Sequence, residues 1–564
     1  MEAAGRRRTN EQIARTLEFM GQLLEIAGED AYRVRAYYRA AQEIERQGQP
    51  LAGRTEEELV RIRGIGKTLA KNIIEIGRTG TFPELEALRA GIPDTVIELL
   101  ALNGVGPKTI HTLQQRLNIQ SIEDLEKAAG SHRIRALKGF GERKEENIIR
   151  AIQQYRQYTG RVSRPEAEAV IGRVVAAFSP GRWDVAGSYR RGKSTIGDID
   201  IVTTDRFASV RPKLRSLAEE MIDEGERKTS LRVGEMRVDI RFTEPGQYGS
   251  MLLYLTGSRD FNIRLREVAM ARGYRMNEYG LLDRSTGVLH TFAGEEEMFE
   301  FLGMSPIPPE LREDRGEIEL ALRRQLPELV DLPQMRGDLH VHTVWSDGRL
   351  SLEEVARAGD AMGYEYILVT DHAGTTRRCN AAALRKQRRE IEEINADHSC
   401  QLLSGAEIDI RSDGSLSLPD RVLADLDLVV ASVHSGFQQE QDVVTRKILS
   451  ALDNEHVDII GHPTGRLIGR RPPYDLDIAR VIRRAAETGT ALEINASPHR
   501  LDLDDIYIRQ AKEHGVKLAI GSDSHRQNEF SNMHCGIMIA RRGWCTAGDL
   551  INTFSLDELL EWSG

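Results

Sequence analysis

Gly187-Ser188-Tyr189-Arg190-Arg191-Gly192-Lys193-Ser194-Thr195-Ile196-Gly197-Asp198-Ile199-Asp200-Ile201-Val202 joins a small polar turn, a cluster of cations and two aspartates that lead into an apolar run. Residues i and i+2 of a strand share a face. Asp198 and Asp200 therefore converge, while Ile199 and Ile201 are expected to bury on the other side. Two adjacent carboxylates repel unless a cation lies between them, and hard oxygen ligands suit Mg²⁺ or Mn²⁺. Arg237-Val238-Asp239-Ile240-Arg241-Phe242 is a second alternating strand. Its Asp239 would complete a three-carboxylate, two-cation site for in-line phosphoryl transfer. The ordinary alternative, a solvated edge strand, would suit a lone Asp-x-Asp better than one preceded by Gly-Ser.

The string from Gly187 to Asp200 is similar to the palm of family X DNA polymerases. The resemblance implies that Asp198, Asp200 and Asp239 are catalytic and hold Mg²⁺ or Mn²⁺. It also implies that Gly187, Ser188, Arg191 and Gly197 cradle the triphosphate of an incoming dNTP. A backbone N–H, a hydroxyl and a guanidinium are suitable partners for phosphate oxygens. Arg190 and Arg191 are expected to diverge along an extended segment, which leaves Arg190 for a structural ion pair. Tyr254-Leu255-Thr256-Gly257-Ser258, with Phe261-Asn262, resembles the segment that holds the nucleotide's sugar and base. Tyr254, Thr256, Gly257, Ser258 and Asn262 are assigned on that resemblance, and Arg266, one helical turn after Asn262, to the template strand. Asn277-Glu278-Tyr279-Gly280 is similar to a thumb segment.

Before this core the pattern is helical. Ile13, Leu17, Met20 and Leu24 recur at three- and four-residue steps from Thr9 to Arg46, with Thr9 or Asn10 as the cap. Three segments then share an apolar-x-Gly-apolar-Gly turn. They contain Gly64, Gly66 and Lys67; Gly104, Gly106 and Lys108; and Gly139 with Gly141. Such turns bring backbone N–H groups to a helix start, where a phosphate can bind. They resemble helix-hairpin-helix motifs, which grip the DNA backbone without reading bases. The resemblance adds a monovalent cation at these motifs. Packing under the palm is the competing role for the third. Some family X members carry in this region a lysine that forms a Schiff base with an abasic-site sugar. Here Asn72 occupies that position, and the adjacent Lys71 projects about 100° away around the helix, so little or no lyase activity is expected.

After residue 335 a new rhythm starts. Apolar runs at 337–342, 366–370, 402–407, 428–433, 457–460, 491–495 and 517–520 alternate with helical patterns. Repeated strand–helix units predict a parallel, barrel-like sheet with its site at the strand C-terminal ends. His340, His342, Asp347, His372, Glu407, His434, His462, Asp523 and His525 fall at or just after those ends. Nine nitrogen and oxygen ligands exceed what a single zinc takes and suit two or three clustered ions that activate water for attack on phosphorus. Of 14 histidines, only His111, His132 and His290 precede residue 336, which also places a metal in this part. The set resembles the PHP family, named for polymerase and histidinol phosphatase, with Mn²⁺ or Zn²⁺ as the implied ions. Asp371 is read as supporting the ligands from outside, and His499 is left open.

The whole chain is thus similar to bacterial- or archaeal-type family X DNA polymerases fused to a C-terminal PHP domain. The expected fold is multidomain α+β and α/β. It comprises a helical domain (1–85), a second helix-hairpin-helix subdomain (86–160), a nucleotidyltransferase-type palm (161–255), a thumb (256–315), a linker (316–334) and a distorted (β/α)7 barrel (335–564). The implied partners are gapped or nicked double-stranded DNA and dNTPs. The implied activity is gap filling in base excision repair with 3′→5′ exonuclease, 3′-phosphatase or abasic endonuclease action. One alternative is a DNA 3′-end-processing phosphoesterase whose palm only docks DNA, and another is a non-catalytic repair scaffold. The intact Asp198, Asp200 and Asp239 argue against the first, and the full set of matching polar positions at both sites argues against the second.

The bulk numbers are compatible with this reading. A net charge of −10 over 564 residues argues against coating nucleic acid through bulk charge but not against local phosphate contacts. No run approaches a membrane span. The start is polar and basic without an apolar signal core, and Arg6-Arg7-Arg8 reads as a frayed, solvated end, so a cytoplasmic monomer is expected. Cys379, Cys400, Cys535 and Cys545 form no Cys-x-x-Cys pair and read as reduced thiols.

Overall fold

The computed structural model describes residues 10–45, 51, 53–102, 104–158, 161–375, 379–437 and 439–563. Thr9, Arg46 and the Arg6-Arg7-Arg8 run lie outside the described residues. The chain divides into two compact units, Met1–Gln157 and Tyr158–Gly564.

The first unit is helical among its described residues. Ile13, Leu17, Met20 and Leu24 are buried as their spacing requires. The pattern expected to run through Arg46 is in fact two helices, Asn10–Ala27 and Ala31–Glu45. Gly28 separates them at φ +76, where a Cβ would lie 2.5 Å from the His111 ring. A side chain there would be both strained and obstructed. Asn10 begins the first helix, and its side-chain oxygen accepts from the Leu51 N–H at 2.8 Å.

The second unit opens with a five-stranded sheet in the order Trp183–Val185, Asp198–Thr203, Met236–Phe242, Lys228–Val233, Glu220–Glu224. Asp198–Thr203 runs parallel to Met236–Phe242. Ile199, Ile201, Val238 and Ile240 are fully buried in a core shared with Ala167 and Val174 of helix Arg164–Val175. The aspartates between them are thereby left on the opposite face. Helices Tyr248–Thr256 and Arg259–Ala271 and a three-stranded sheet follow.

The segment expected to be a linker is a packed element. Helix Glu317–Arg323 places Ile318 and Ala321 in one core with Phe261 and Leu265, and with Trp544 from the C-terminal region. The Glu317 carboxylate is buried and accepts the N–H groups of Asp314 and Arg315. The dense charge of this stretch hides an apolar stripe at helical spacing, and that stripe decides its packing.

The last region matches the expected rhythm closely. Strands Gly337–Val341, Tyr366–Val369, Gln401–Asp409, Leu428–Ser432, Ile459–Ile460, Ala491–Asn495 and Leu518–Gly521 pair in that order, all parallel. The Asp523 N–H donates to the His340 carbonyl and the His342 N–H to the Ser524 carbonyl, each at 2.9 Å, and these bonds nearly close the barrel. Leu339, Tyr366, Leu368, Val430 and Ile459 fill its interior together with Ile551 and Leu559. No helix among the described residues is long and apolar enough to cross a membrane.

Candidate active sites and nucleic-acid interface

Asp200 stands directly opposite Asp239 in the parallel register, and Asp198 lies two residues before Asp200 on the same strand. Burial, together with the neighbouring Asp198 and Asp239 charges, pushes the Asp200 carboxyl up to about 7. Asp239 is partly buried, which would raise it, but bonds from Arg237 at 3.0 and 3.2 Å hold it below its ordinary value. One carboxylate that resists ionisation beside two others is what repulsion produces where a cation is expected. Oxygen donors of this type suit Mg²⁺ or Mn²⁺, although among the described residues the three carboxylates do not draw into one metal-sized group, Asp239 being held by Arg237.

Gly187 closes on this cluster. Its φ is +62, and a Cβ there would lie 2.5 Å from Asp200 Oδ2. The Ala186 N–H donates to the Asp200 carbonyl at 2.8 Å, which fixes that approach. Ser188 Oγ is buried without a hydrogen-bond partner among the described residues. An unmatched hydroxyl in a cradle is costly unless a ligand completes it. A Cβ on Gly197 would come 2.9 Å from Arg161 Nη1.

Gly187–Arg190 is a helical turn and not the extended segment expected, so Arg190 and Arg191 separate by a helical step. Arg190 binds Glu295 at 2.8 and 2.7 Å and Thr256 Oγ1 at 2.8 Å. Arg312 also binds Glu295 at 2.5 Å. Burial would raise Glu295, but Arg312 and Arg190 pull it down to about 2. Arg191 donates to Glu313 at 3.0 Å and to the Thr256 carbonyl at 2.7 Å. Both arginines therefore grip the bend at Thr256-Gly257.

Beyond that bend, Ser258 caps helix Arg259–Ala271, its Oγ accepting from the Phe261 N–H at 3.1 Å. The hydroxyl assigned to the nucleotide is thus committed to the helix start. Asn262 Nδ2 donates to the carbonyls of Tyr254 and Gly257 at 2.8 and 3.2 Å, while its Oδ1 is buried without a hydrogen-bond partner among the described residues. Arg266 donates to the Tyr254 hydroxyl at 3.0 Å, and its guanidinium stands 5.3 Å from that ring's centre. Tyr254, Arg266, Arg275 and Asn277 line an open groove of about 670 Å³.

In the helical unit, Gly64, Gly104 and Gly139 adopt φ of +86, +74 and +87. Each turn closes with the same bond pair: Ile65 to Ile62 and Ala70 to Gly66, Val105 to Leu102 and Ile110 to Gly106, Phe140 to Leu137 and Glu145 to Gly141. Gly66 and Gly106 begin helices Lys67–Thr79 and Pro107–Leu117 with no side-chain cap, and Lys67 and Lys108 are exposed beside them. Their N–H groups suit a phosphate. The third start differs. Buried Glu145 accepts from Arg135 at 2.6 Å and contacts His132 Nδ1 at 2.9 Å, while Glu142 pairs with Arg135 at 2.9 Å. Carboxylates in that first turn oppose a phosphate, so Gly139 and Gly141 share the turn of the first two motifs but not their bare helix start.

The barrel gathers all nine expected ligands. His342, Asp347, His372 and His525 form one candidate metal group; His340, His342 and Asp523 a second; His372, Glu407 and His434 a third. His462 Nε2 joins through Glu407 at 2.9 Å. The Glu407 carboxylate also lies 2.8 Å from His372 Nδ1 and 3.1 Å from His434 Nε2, so one carboxylate contacts three imidazoles. His340 Nε2 faces His342 Nε2 at 3.1 Å, while His342 Nδ1 and His462 Nδ1 are buried without hydrogen-bond partners among the described residues. Imidazole and carboxylate donors crowded this way fit two or three ions of the Mn²⁺ or Zn²⁺ type. Burial would raise Glu407, but His434, His372 and His340 hold it far below the usual carboxylate range.

Several supporting residues escaped the sequence reading. Glu493 binds His340 Nδ1 at 2.6 Å, and Asp409 binds His434 Nδ1 at 2.8 Å. Asp409 follows Glu407 by two residues on one strand, a signal that was available. Arg500 approaches Asp523 at 3.3 Å. Asp371, read as supporting the ligands from outside, accepts from Thr343, Ser346 and Gln387, none of them a candidate ligand. His499 is exposed and joins none of these groups.

Comparison with known proteins agrees with this layout. Family models described as helix-hairpin-helix domain, SAM-like helix-hairpin-helix tandem, DNA polymerase beta palm, DNA polymerase beta thumb and PHP domain match residues 8–82, 96–154, 161–242, 251–313 and 338–497. The DNA polymerase/3′-5′ exonuclease PolX of Bacillus subtilis (strain 168) is 37% identical over 568 residues, covering 97% of this chain and 98% of that one. DNA polymerase lambda of Rattus norvegicus is 26% identical, covering 52% of this chain and 55% of its own. A probable phosphatase of Thermoanaerobacter sp. (strain X514) is 31% identical over 231 residues, covering 38% of this chain and 89% of its own. With two helix-hairpin-helix regions, palm, thumb and metal-binding barrel in one order and a relative matched end to end, the chain belongs to the family X DNA polymerases that carry a C-terminal PHP domain.

Proposed function

We propose that this protein is a DNA-directed DNA polymerase that fills gaps during DNA repair and trims 3′ ends with its barrel. The observation that carries the synthetic half is the Asp200–Asp239 pairing closed by Gly187. Asp198, Asp200 and Asp239 would hold Mg²⁺ or Mn²⁺, which would make the primer 3′-hydroxyl more acidic and offset the charge of the dNTP phosphates. Gly187 and Gly197 would leave room for the phosphates, and Ser188 and Arg191 would bind them. Tyr254 would pack near the sugar and Asn262 would turn to the base edge, giving up one of its two carbonyl contacts. Arg266 would meet the template, and the N–H groups at Lys67 and Lys108 would hold the phosphates of gapped or nicked DNA.

In the barrel, His340, His342, Asp347, His372, Glu407, His434, His462, Asp523 and His525 would hold two or three Mn²⁺ or Zn²⁺ ions that supply a nucleophilic water for phosphodiester cleavage. Glu493 and Asp409 would orient His340 and His434. The name of the B. subtilis relative, with both activities in one chain of nearly equal extent, supports this pairing. A 3′-phosphatase activity at the same centre is a second reading, supported by the likeness to a probable phosphatase.

The test uses one-nucleotide-gapped DNA with dNTPs and Mn²⁺. Asp198→Ala should lose extension and keep 3′ degradation, and His342→Ala should do the reverse. Normal extension by Asp198→Ala would refute the palm assignment. A 3′-phosphate primer distinguishes the second reading: release of phosphate before any nucleotide supports it, and nucleotide release alone excludes it.

A further inference from the structure

The loop that follows the nucleotide cradle is built against the barrel domain. Arg191 donates from Nε to Glu313 at 3.0 Å, and the same Glu313 oxygen takes Lys193 at 3.3 Å and Arg542 at 3.1 Å. Arg542 ends helix Met533–Arg542 of the barrel domain, and its side chain is only 1% exposed. It also donates to the main-chain carbonyl of Arg191 at 2.6 Å and to Asp505 at 2.7 Å. Asp505 is held in turn by Arg315 at 2.8 Å. Next to Arg191, Gly192 adopts φ +72, and a Cβ there would come 2.5 Å from Met538 Cγ on the same barrel helix. One buried guanidinium therefore touches both the backbone of Arg191 and the carboxylate that orients its side chain.

We propose that Arg542 is a positioning residue for the polymerase reaction, so that the barrel domain forms part of the wall of the dNTP cradle while housing a metal centre of its own. The inference rests on the reading that Arg191 binds the triphosphate. A guanidinium free to swing must be ordered each time a nucleotide binds, whereas one held by Glu313 and Thr256 meets it in place. Arg542 fixes both ends of that arrangement at once. Its contacts are charge-assisted and buried, the class whose loss is most costly.

The experiment measures single-nucleotide gap filling by the full chain against dNTP concentration, with 3′ degradation measured in parallel. Arg542→Gln should raise the dNTP KM about tenfold, as expected for losing a hydrogen bond to a charged group, with a smaller change in kcat. Its rate of 3′ degradation should stay within about twofold, since Arg542 touches none of the barrel's ligands. Glu313→Gln, which lies outside the barrel, should raise KM in the same direction, and the double variant should do less than the product of the singles. If Arg542→Gln loses both activities through misfolding, Glu313→Gln decides alone. Arg191→Gln separates the two levels of the argument. A raised KM for Arg191→Gln with unchanged KM for Arg542→Gln and Glu313→Gln overturns the inference. An unchanged KM for Arg191→Gln overturns the reading beneath it.

Discussion

Gly187 packs so closely on Asp200 that a single added methyl group would lie 2.5 Å from the carboxylate oxygen. The glycine is required twice, by that approach and by its φ of +62. Gly187→Ala should therefore displace Asp200 while leaving the rest of the sheet intact. Backbone strain alone costs about 1–2 kcal/mol, too little to unfold a unit of this size. Gap filling should fall at least ~100-fold, since misplacing a catalytic group by about 1 Å has that effect. Degradation of a 3′ end, measured in the same preparation, should be unchanged. Full extension by Gly187→Ala would mean that the carboxylate need not stay where it is.

The Asp200 carboxyl, pushed up to about 7 by burial and by Asp198 and Asp239, sets a pH dependence. The unfolded chain releases this proton near pH 4. In the cation-free protein the raised folded value therefore withdraws stability as pH climbs from about 4 to about 7. A divalent cation must displace the same proton. The Mg²⁺ concentration needed for half-maximal gap filling should then fall from pH 6 to pH 8 and flatten above the Asp200 value. The His342→Ala background removes competing degradation from the measurement. A Mg²⁺ requirement that does not move with pH would show that Asp200 is already ionised.

Glu493 orients His340 from within the barrel at 2.6 Å. Glu493→Gln keeps the shape and removes the charge. Loss of such a supporting carboxylate typically weakens metal binding by roughly 10–100-fold. The Mn²⁺ concentration needed for 3′ degradation should rise by about that factor, and calorimetric Mn²⁺ titration should report the same shift. Gap filling at saturating Mg²⁺ should be unaffected. An unchanged Mn²⁺ titration would reduce Glu493 to a packing residue.

These sites differ in how far the sequence discloses them. The aspartate pair was legible because a strand's two-residue period leaves Ile199 and Ile201 no place but the core. The candidate ligands of the barrel were legible because each falls at, or a few residues after, the end of an apolar run. The partners that hold these residues were not. Glu295 lies 105 residues from Arg190, Glu493 lies 153 from His340, and Arg542 lies 351 from Arg191. Contacts over such separations are set by packing, and no local pattern encodes them. The stretch around Ile318 misled for another reason. Its charges dominate the composition, although Ile318 and Ala321 on one helix face determine where it packs.

Lys67 and Lys108 stand exposed beside uncapped helix starts, whereas the third start carries Glu142 and Glu145. Lys67→Ala and Lys108→Ala should each weaken binding to gapped DNA without sequence preference, and each should lower the salt-dependence slope by about one. Lys144→Ala, at the third start, should change the slope less. An equal loss in all three variants would show that the third motif holds DNA as firmly as the first two.

Asn72 is bound into a local network and has no amine to offer. Its Nδ2 contacts the Tyr37 hydroxyl at 3.1 Å, and that hydroxyl donates to Glu84 at 2.8 Å. Glu84 also pairs with Arg33. Burial, with the Glu84 contact next, pushes the Tyr37 hydroxyl far above its ordinary value, so it stays neutral and keeps donating. Schiff-base chemistry requires a neutral amine placed against the sugar carbonyl carbon. Lys71 is exposed and one helical step away from Asn72. Borohydride trapping on a 5′-deoxyribose-phosphate end should therefore yield little covalent adduct, and Asn72→Ala should not change that yield. A strong adduct that disappears in Lys71→Ala would show that the neighbouring amine reaches the sugar after all and that the domain is a lyase.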